Sequence, residues 1–562
     1  MKKGFILLLS VIMLLSLLAA CGKGNNNGNG NGNGSTQNES TGEGSTSTGA
    51  DVEEKPLVTL TTARPVGSDV IFINGEDITN NVHNKWAKEK LGIDIKDIWT
   101  TADNVAYHTK LRLALSTNVE LPDVFIVQDR PLVADLIASG KVLEIKDLFE
   151  QHAPDRIKAL YTEFDSALNQ LRKDGGLYGL PIFTAGDGTN PVLWVRQDWL
   201  DKLGLEAPKT IADFEKVMDA FTNLDPDGNN KKDTIGFAFS ARENFSNWMS
   251  DASFIFGAYT GNAIPGAWAV IDGQLKHGSV LPEMKQGLGK LKEWASKGYL
   301  DPETPILDPI KATESFIQGR AGMIAAPYWA EGWPLNELYG LNPDAKIGVY
   351  ALPTGDDGKS ARFMNTLNEN KVMLFNKDFK HFDRFMEYFD RIYDAVYETG
   401  DFQYGFFEGY DYALVDGKPV FDSKQFPTPI EKGTTPGKYN LFWNTPQIPL
   451  QGSAMNYRLN NGETPKTTAE SKAAAQNEIT IRAGALNYEM RDTNTPDQFL
   501  GAPTETMRSK GPNLDKMLLE TYAKIIFTKE PLDTFDTLVQ DWYDKGGKQI
   551  EEEVNAWYKS VQ

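Results

Sequence analysis

The chain has 562 residues, of which 77 are acidic, 57 basic and one is a cysteine, for a net charge of −20. A surface this acidic repels phosphate backbones and anionic headgroups, which argues against nucleic-acid binding, and a lone cysteine rules out a disulfide within the chain. The length and the ordinary apolar content suit two large lobes rather than one core.

In chain order, "MKKG" supplies positive charge and "FILLLSVIMLLSLLAA" an apolar run too short to span a membrane, so residues 1–20 read as a secretory leader. Leu18-Ala19-Ala20-Cys21 resembles the bacterial lipobox, which makes Cys21 the expected point of lipid attachment. Residues 21–55 are rich in Gly, Asn, Ser and Thr and hold almost nothing apolar, so they read as a tether with a reach of about 30 Å.

From Leu57, "LVTLTTARP" alternates like a strand, and "NNVHNKWAKEKLGIDIKDIW" reads as a helix broken at Gly92 and followed by a strand. "AYHTKLRLALST" is a further helix and "DVFIV" a short apolar strand. The alternation continues to "TIADFEKVMDAFTNL", which predicts α/β lobes with largely parallel sheets. "TAGDGTN" and "KVMLFN" are the expected crossings between lobes. The last third is helical in pattern, over "KAAAQNEITIRAGALNYEM", "DKMLLETYAKIIFT" and "TFDTLVQDWYDKGGKQIEEEVNAWYKS", where Trp542 and Trp557 fall at packing positions.

The lipobox and tether, then "LPDVFIV", "DGGLYGLP", "LWVRQDWLDKLGLEAPKTIADFEKVMDAF", "DPDGNNKKDTIGF", "ESFIQGRAGM" and "DKGGKQIEEEVNAWY" occur in one order along the chain. Together they resemble the large family 1 extracellular solute-binding lipoproteins of ABC sugar importers, in the subgroup that includes alginate-oligosaccharide binders. The resemblance implies a two-lobed periplasmic-binding-protein-like α/β fold (type II), with a ligand cleft between lobes and a helical C-terminal region. The expected N-terminal lobe is 56–185 plus about 365–445, and the C-terminal lobe about 186–364 plus about 446–562. The implied protein is a monomer on the extracellular face of the membrane, held by its lipid alone, that passes an oligosaccharide to permease subunits.

"DPDGNNKKD" places Asp225, Asp227, Asn229, Lys231 and Asp233 two apart, the alternation that points oxygens at one hard cation, with Lys231 offering its carbonyl. Asn230 and Gly236 stand where an EF-hand has glycine and glutamate, so the loop is built to another pattern. In the resembling alginate binders an acidic residue follows the last aspartate. Here that position is Thr234, whose hydroxyl or a water would have to serve, and weaker Ca²⁺ binding is expected. A structural Ca²⁺ staple and a bare Asx-rich turn both remain open; a catalytic metal does not fit, because protein oxygens fill the coordination sphere.

Candidate saccharide contacts are Tyr328, Trp329 and Trp333, which follow a strand-like run although the spacing of the two tryptophans equally suits core packing in a short helix, and the loop-flanked aromatics Trp268, Tyr404, Tyr410 and Trp443. Sugar rings present apolar C–H faces that stack on such side chains, and open α/β sheets bind beyond their strand ends. Arg64, Gln128, Asp129 and Arg196 stand near strand ends as polar partners, with a surface Arg196–Asp198 pair as the alternative.

The five histidines are scattered, and neither H-E-x-x-H nor G-x-S-x-G occurs. "GDDGKS" lacks the first glycine of a phosphate loop, since Pro353 holds that place. Glycoside hydrolysis needs only two carboxylates, so a surface-anchored carbohydrate-active enzyme stays open as the rival function.

Overall fold

The opening strand, Val58–Pro65, buries Leu60 completely between more exposed threonines and then, past a register shift at Thr62/Ala63, buries Thr62, Ala63 and Arg64 in succession. It belongs to a computed structural model that describes residues 55–117, 119–430 and 433–562. The leader, Cys21 and the tether lie outside the described residues.

Val58–Pro65 pairs in parallel with Ile93–Thr101, and the helix Val82–Leu91 makes the return between them. Both ends of that helix follow from local chemistry. Asn81 caps the start by accepting from the backbone N–H groups of His83 and Asn84, and Gly92 closes it at φ 62°, where a β-carbon is disfavoured. Helix Asn104–Ser116 follows, capped by Asp103, and strand Val124–Val127 is buried on both faces, as an unbroken apolar run should be.

The apolar side chains gather into separate cores. One draws on Leu60 to Phe183 and on Val372 to Phe442, dominated by the aromatic face of helix Phe382–Tyr397. The second draws on Leu193 to Leu352 and on Phe499 to Val554. A smaller cluster covers the opposite face of the same sheet, because strand Pro191–Arg196 sends Leu193 and Val195 one way and Val192 and Trp194 the other.

The expectation of largely parallel sheets is corrected. In the first core Val372–Phe375 lies between Val124–Val127 and Leu180–Pro181 and runs antiparallel to both. In the second the order is Ile347–Tyr350, Pro191–Arg196, Ala321–Pro327, Ile235–Ala238, and only the last ladder is parallel. The reason is directional. Pro191–Arg196 and Val372–Phe375 are central strands that begin where the chain arrives from the other core, so they run away from the junction, against neighbours that run toward it.

Three segments, 184–191, 364–371 and 443–450, link the cores and lie side by side: Thr184 N–H donates to Leu367 O and Leu450 N–H to Ala185 O, each at 2.8 Å. Arg362 ties the junction. Its buried guanidinium donates to Pro191 O at 2.9 Å, Asn487 O at 2.8 Å and Asn494 Oδ1 at 2.9 Å. Burial lowers its pKa to about 9, against the pull of Asp187 and Asp251.

The C-terminal region is helical, over Gln451–Asn460, Thr468–Ala474, Glu478–Glu489, Glu505–Phe527, Thr534–Trp542 and Lys548–Val561. The single helix expected over 472–490 is two, because Asn477 starts a new one by accepting from Ile479 N–H. Trp542 is buried, and Trp557 packs edge-on to Phe499 with ring centres 4.9 Å apart.

Candidate functional site

The linking segments set the strand ends of the two cores against each other, and each side presents a rim of side chains. On the first, Gln128 and Lys371 flank the paired residues Val127 and Val372 and meet Trp443 around a cavity of about 330 Å³, together with Asp69, Asp103 and Lys438. Trp443 sits at φ 59°, a conformation that turns its indole edge-on to Tyr107 at 5.0 Å. Lys371 Nζ lies 5.6 Å from the centre of that indole. Gln128 Oε1 accepts from Asn104 Nδ2 at 3.4 Å.

A neighbouring cavity of about 300 Å³ is shared by both cores, with Arg130, Asn365, Glu243, Asn244, Ser246 and Asp497 on its walls. Glu243, Asn244 and Phe245 are consecutive left-handed residues, at φ 50°, 56° and 65°. Each such residue costs on the order of 1 kcal/mol, strain of the kind that clusters at ligand clamps. The buried Phe245 ring holds the turn in place. Arg130 reaches from the first core and donates to Phe499 O of the second at 2.7 Å; burial lowers its pKa and Asp497 opposes that.

On the second rim three indoles stack. Trp329 lies 6.2 Å from Trp248 at 24° and 6.3 Å from Trp333 at 15°. The strand Ala321–Pro327 ends immediately before them, and the Trp329 indole N–H donates to Gly188 O in a linking segment. Trp333 ends the stack with 50% of its surface exposed. The Tyr328 hydroxyl beside them is pushed up to about 12 by burial and by Asp187. Such a ladder offers flat apolar faces at a strand terminus, the geometry that sugar rings stack on.

The structure thus brings Gln128 and Trp443 together on one rim and Tyr328, Trp329 and Trp333 on the other. It assigns the remaining expected contacts elsewhere. Arg64 is buried, with Nε donating to Asp97 Oδ1 at 2.8 Å and its other nitrogens to Ile78 O and Tyr439 O, so its donors are committed to packing. Asp129 caps helix Arg130–Ala138 by accepting from Leu132 N–H at 2.8 Å and pairs with Arg112. Arg196 forms a two-pronged pair with Asp198, at 2.9 and 2.6 Å, and lies over Trp199 at the strand end away from the linking segments. Trp268 is enclosed by His277 and Phe499.

Tyr404 borders a different cavity, of about 610 Å³, with Phe421 and Lys472, and Tyr410 packs edge-on to Phe407. A cavity of about 830 Å³, larger than either of those at the rims, lies beside Lys146, Lys158 and Arg172 and contains none of the expected contacts, so size does not choose the site. Trp248, Lys371, Arg130 and the 243–245 turn escaped sequence reasoning. Arg130 alone had a signal, as the next residue after Gln128 and Asp129.

The aspartate-rich loop is exposed and held by its own hydrogen bonds. Asp225 accepts from the backbone N–H groups of Gly228, Asn229 and Asn230, each at 3.1 Å. The Asn229 amide nitrogen donates to Asp227 at 2.7 Å and to Asp233 at 3.1 Å, and Lys231 N–H donates to Asn229 Oδ1 at 2.7 Å. Burial and then the carboxylates of Asp225 and Asp233 push the pKa of Asp227 up. Thr234 is corrected as a ligand: its buried hydroxyl donates to Phe221 O at 2.8 Å. Among the described residues no three His, Cys, Asp or Glu side chains are arranged to hold a metal ion. The donor chemistry suits a hard cation, but the Asn229 N–H₂ holds the carboxylates apart.

Residues 73–378 match the model of the bacterial extracellular solute-binding protein family. Over 484 residues, 84% of this chain and 87% of its relative, the chain is 26% identical to the polygalacturonan/rhamnogalacturonan-binding protein YtcQ of Bacillus subtilis (strain 168). Over 262 residues, 45% of this chain and 46% of the other, it is 29% identical to the fructooligosaccharide ABC transporter substrate-binding protein FusA of Streptococcus pneumoniae serotype 4.

The FusA structure in complex with kestose superposes with a TM-score of 0.53 at 18% identity, covering 90% of this chain and 100% of that one. FusA has also been solved as an EF-hand mutant. An extracellular solute-binding protein from Bifidobacterium longum subsp. infantis superposes with a TM-score of 0.62 at 14% identity, over 90% of this chain and 98% of that one. The two cores, the three links between them and the family match over more than half of the chain agree: this protein is a member of the bacterial extracellular solute-binding protein family, with that family's two-lobed α/β fold.

Proposed function

We propose that the protein captures an oligosaccharide in the cleft between its lobes and delivers it to the permease of an ABC importer. The observation that carries this reading is the indole ladder Trp248–Trp329–Trp333, fixed to a linking segment through Gly188 and set at the strand ends of the second lobe. Tyr328, Trp329 and Trp333 stack on the ligand from that lobe, and Gln128 and Trp443 contact it from the other. The saccharide ligands named for YtcQ and FusA support the same reading.

The lobes divide at 56–185 plus about 365–445 and about 186–364 plus about 446–562, which follows the partition of the cores. The mature chain is a monomer held on the outer face of the membrane by a lipid on Cys21, and its tether keeps it close to the permease. Ca²⁺ acts as a staple in the loop of Asp225, Asp227, Asn229, Lys231 and Asp233 once the Asn229 amide turns its oxygen inward. The EF-hand named for FusA supports a cation there.

Calorimetric titration of the purified protein with a panel of oligosaccharides tests the main reading. Stoichiometric binding with the ligand recovered intact by mass spectrometry is the expected result. Cleavage of the ligand would favour a carbohydrate-active enzyme instead, and silence across the panel would remove the saccharide reading. Loss of membrane association in Cys21→Ser tests the anchor.

A further inference from the structure

Lys371 stands just before a central strand of the first lobe, at the wall of the 330 Å³ cavity. Its ammonium group donates to Phe442 O at 2.6 Å and, among the described residues, has no carboxylate in ion-pair contact. Among the described residues the Trp443 indole N–H at the same wall is buried with no acceptor. The carboxylates of the cavity are already engaged: Asp69 by Lys438, and Asp103 as the cap of helix Asn104–Ser116, accepting from Ala106 N–H at 2.7 Å. Unclaimed donors therefore meet at one wall while the nearby acceptors are taken.

Shielding a cation without an anion is unfavourable, and a sugar hydroxyl would leave the charge uncompensated, whereas a ligand anion would satisfy both donors. We propose that Lys371 and Trp443 form an anion subsite of the cleft, and that the bound saccharide carries a carboxylate or sulfate group there. This rests on the saccharide-binding reading above. The net charge of −20 does not oppose it, because the field inside a small cavity is set by its own walls.

Burial depresses the Lys371 pKa to about 8, with Lys438 adding to the shift and Glu369 opposing it. Asp69, Asp103, Glu369 and Lys438 are the other charged groups around it, and none has an ordinary pKa between 7 and 9. Affinity for an anionic saccharide should therefore weaken as pH rises from 7 to 9.

The test is calorimetry with trigalacturonate, its methyl ester, a sulfated trisaccharide and neutral galactotriose. The expected result is tenfold or tighter binding of trigalacturonate or of the sulfated sugar over the uncharged ligands, with the two arms telling carboxylate from sulfate. Lys371→Met should collapse that preference. Should this variant fail to fold, the acid-to-ester ratio of the unaltered protein and its fall between pH 7 and 9 carry the test. Equal binding of acid and ester, or binding of neutral sugars only, overturns the anion subsite and leaves the saccharide reading intact. Silence toward every ligand in the set overturns the subsite, and the wider panel then decides the saccharide reading.

Discussion

In the proposed function the two rims of the cleft recognise a ligand by different physics. The first presents few groups of high individual consequence, the shielded Lys371 ammonium and the partnerless indole N–H of Trp443. The second presents a neutral stack, Trp248, Trp329 and Trp333, in which rings support one another. Charged donors in a small cavity discriminate sharply because an unmatched ligand leaves them unpaired, whereas aromatic faces accept any ring with an apolar side. A cleft built this way grips broadly with one lobe and selects with the other.

The largest expected effect breaks the frame that sets the rims against each other. Arg362→Met removes the buried donor to Pro191, Asn487 and Asn494 and leaves three acceptors unpaired, which should cost about 3 kcal/mol or more. Urea unfolding would show this as a lower midpoint, or as separate transitions for the two lobes. An unchanged curve would mean that the lobes are not coupled through this residue.

The ladder comes next. Trp329→Ala, at its centre, should weaken saccharide binding by about 2 kcal/mol, and Trp333→Ala, at its exposed end, by about 1 kcal/mol with little change in melting temperature. If Trp333→Ala proves the more damaging, the exposed end rather than the stack makes the main contact.

Acid should strain both lobes, each through one buried histidine. His83 in the first is held to about 3 by burial and by Arg64, and His277 in the second to about 4 by burial. Both folded values lie below the unfolded value of about 6.5, so the stabilising contribution is complete above pH 6.5 and is lost as pH falls toward the folded values. At pH 5.5 each should have removed about 1 kcal/mol, measurable by urea unfolding against pH. His83→Gln should flatten part of that slope and leave the share from His277.

The smallest effect concerns the aspartate loop, which lies on the second lobe and off both rims. Adding Ca²⁺ should raise the melting temperature by about 2 °C, chelation should reverse it, and saccharide affinity should stay as it was. A change in affinity would place the loop in communication with the cleft.

Some of this was legible residue by residue. The strand Val58–Pro65, the apolar run Val124–Val127 and the stop at Gly92 are local, and local chemistry fixes them. Trp329 and Trp333 stood out because they follow a strand, although their spacing of four equally suited packing in a short helix. Arg64 misled because a strand-end arginine looks the same in sequence whether it faces a ligand or a buried carboxylate such as Asp97, whereas for Arg196 the pair with Asp198 was already the open alternative. Trp248 and Lys371 carried no local mark, since what distinguishes them is who stands opposite.

By itself the sequence determined many of the helices and strands and the family, all properties of short windows or of their order. Tertiary structure alone decided that the central strands run against their neighbours, that three links lie side by side through backbone hydrogen bonds, and that Lys371 meets Trp443 while the nearby acceptors are engaged. Those facts depend on groups far apart in the chain, and burial and charge pairing acquire values only once such groups share a space.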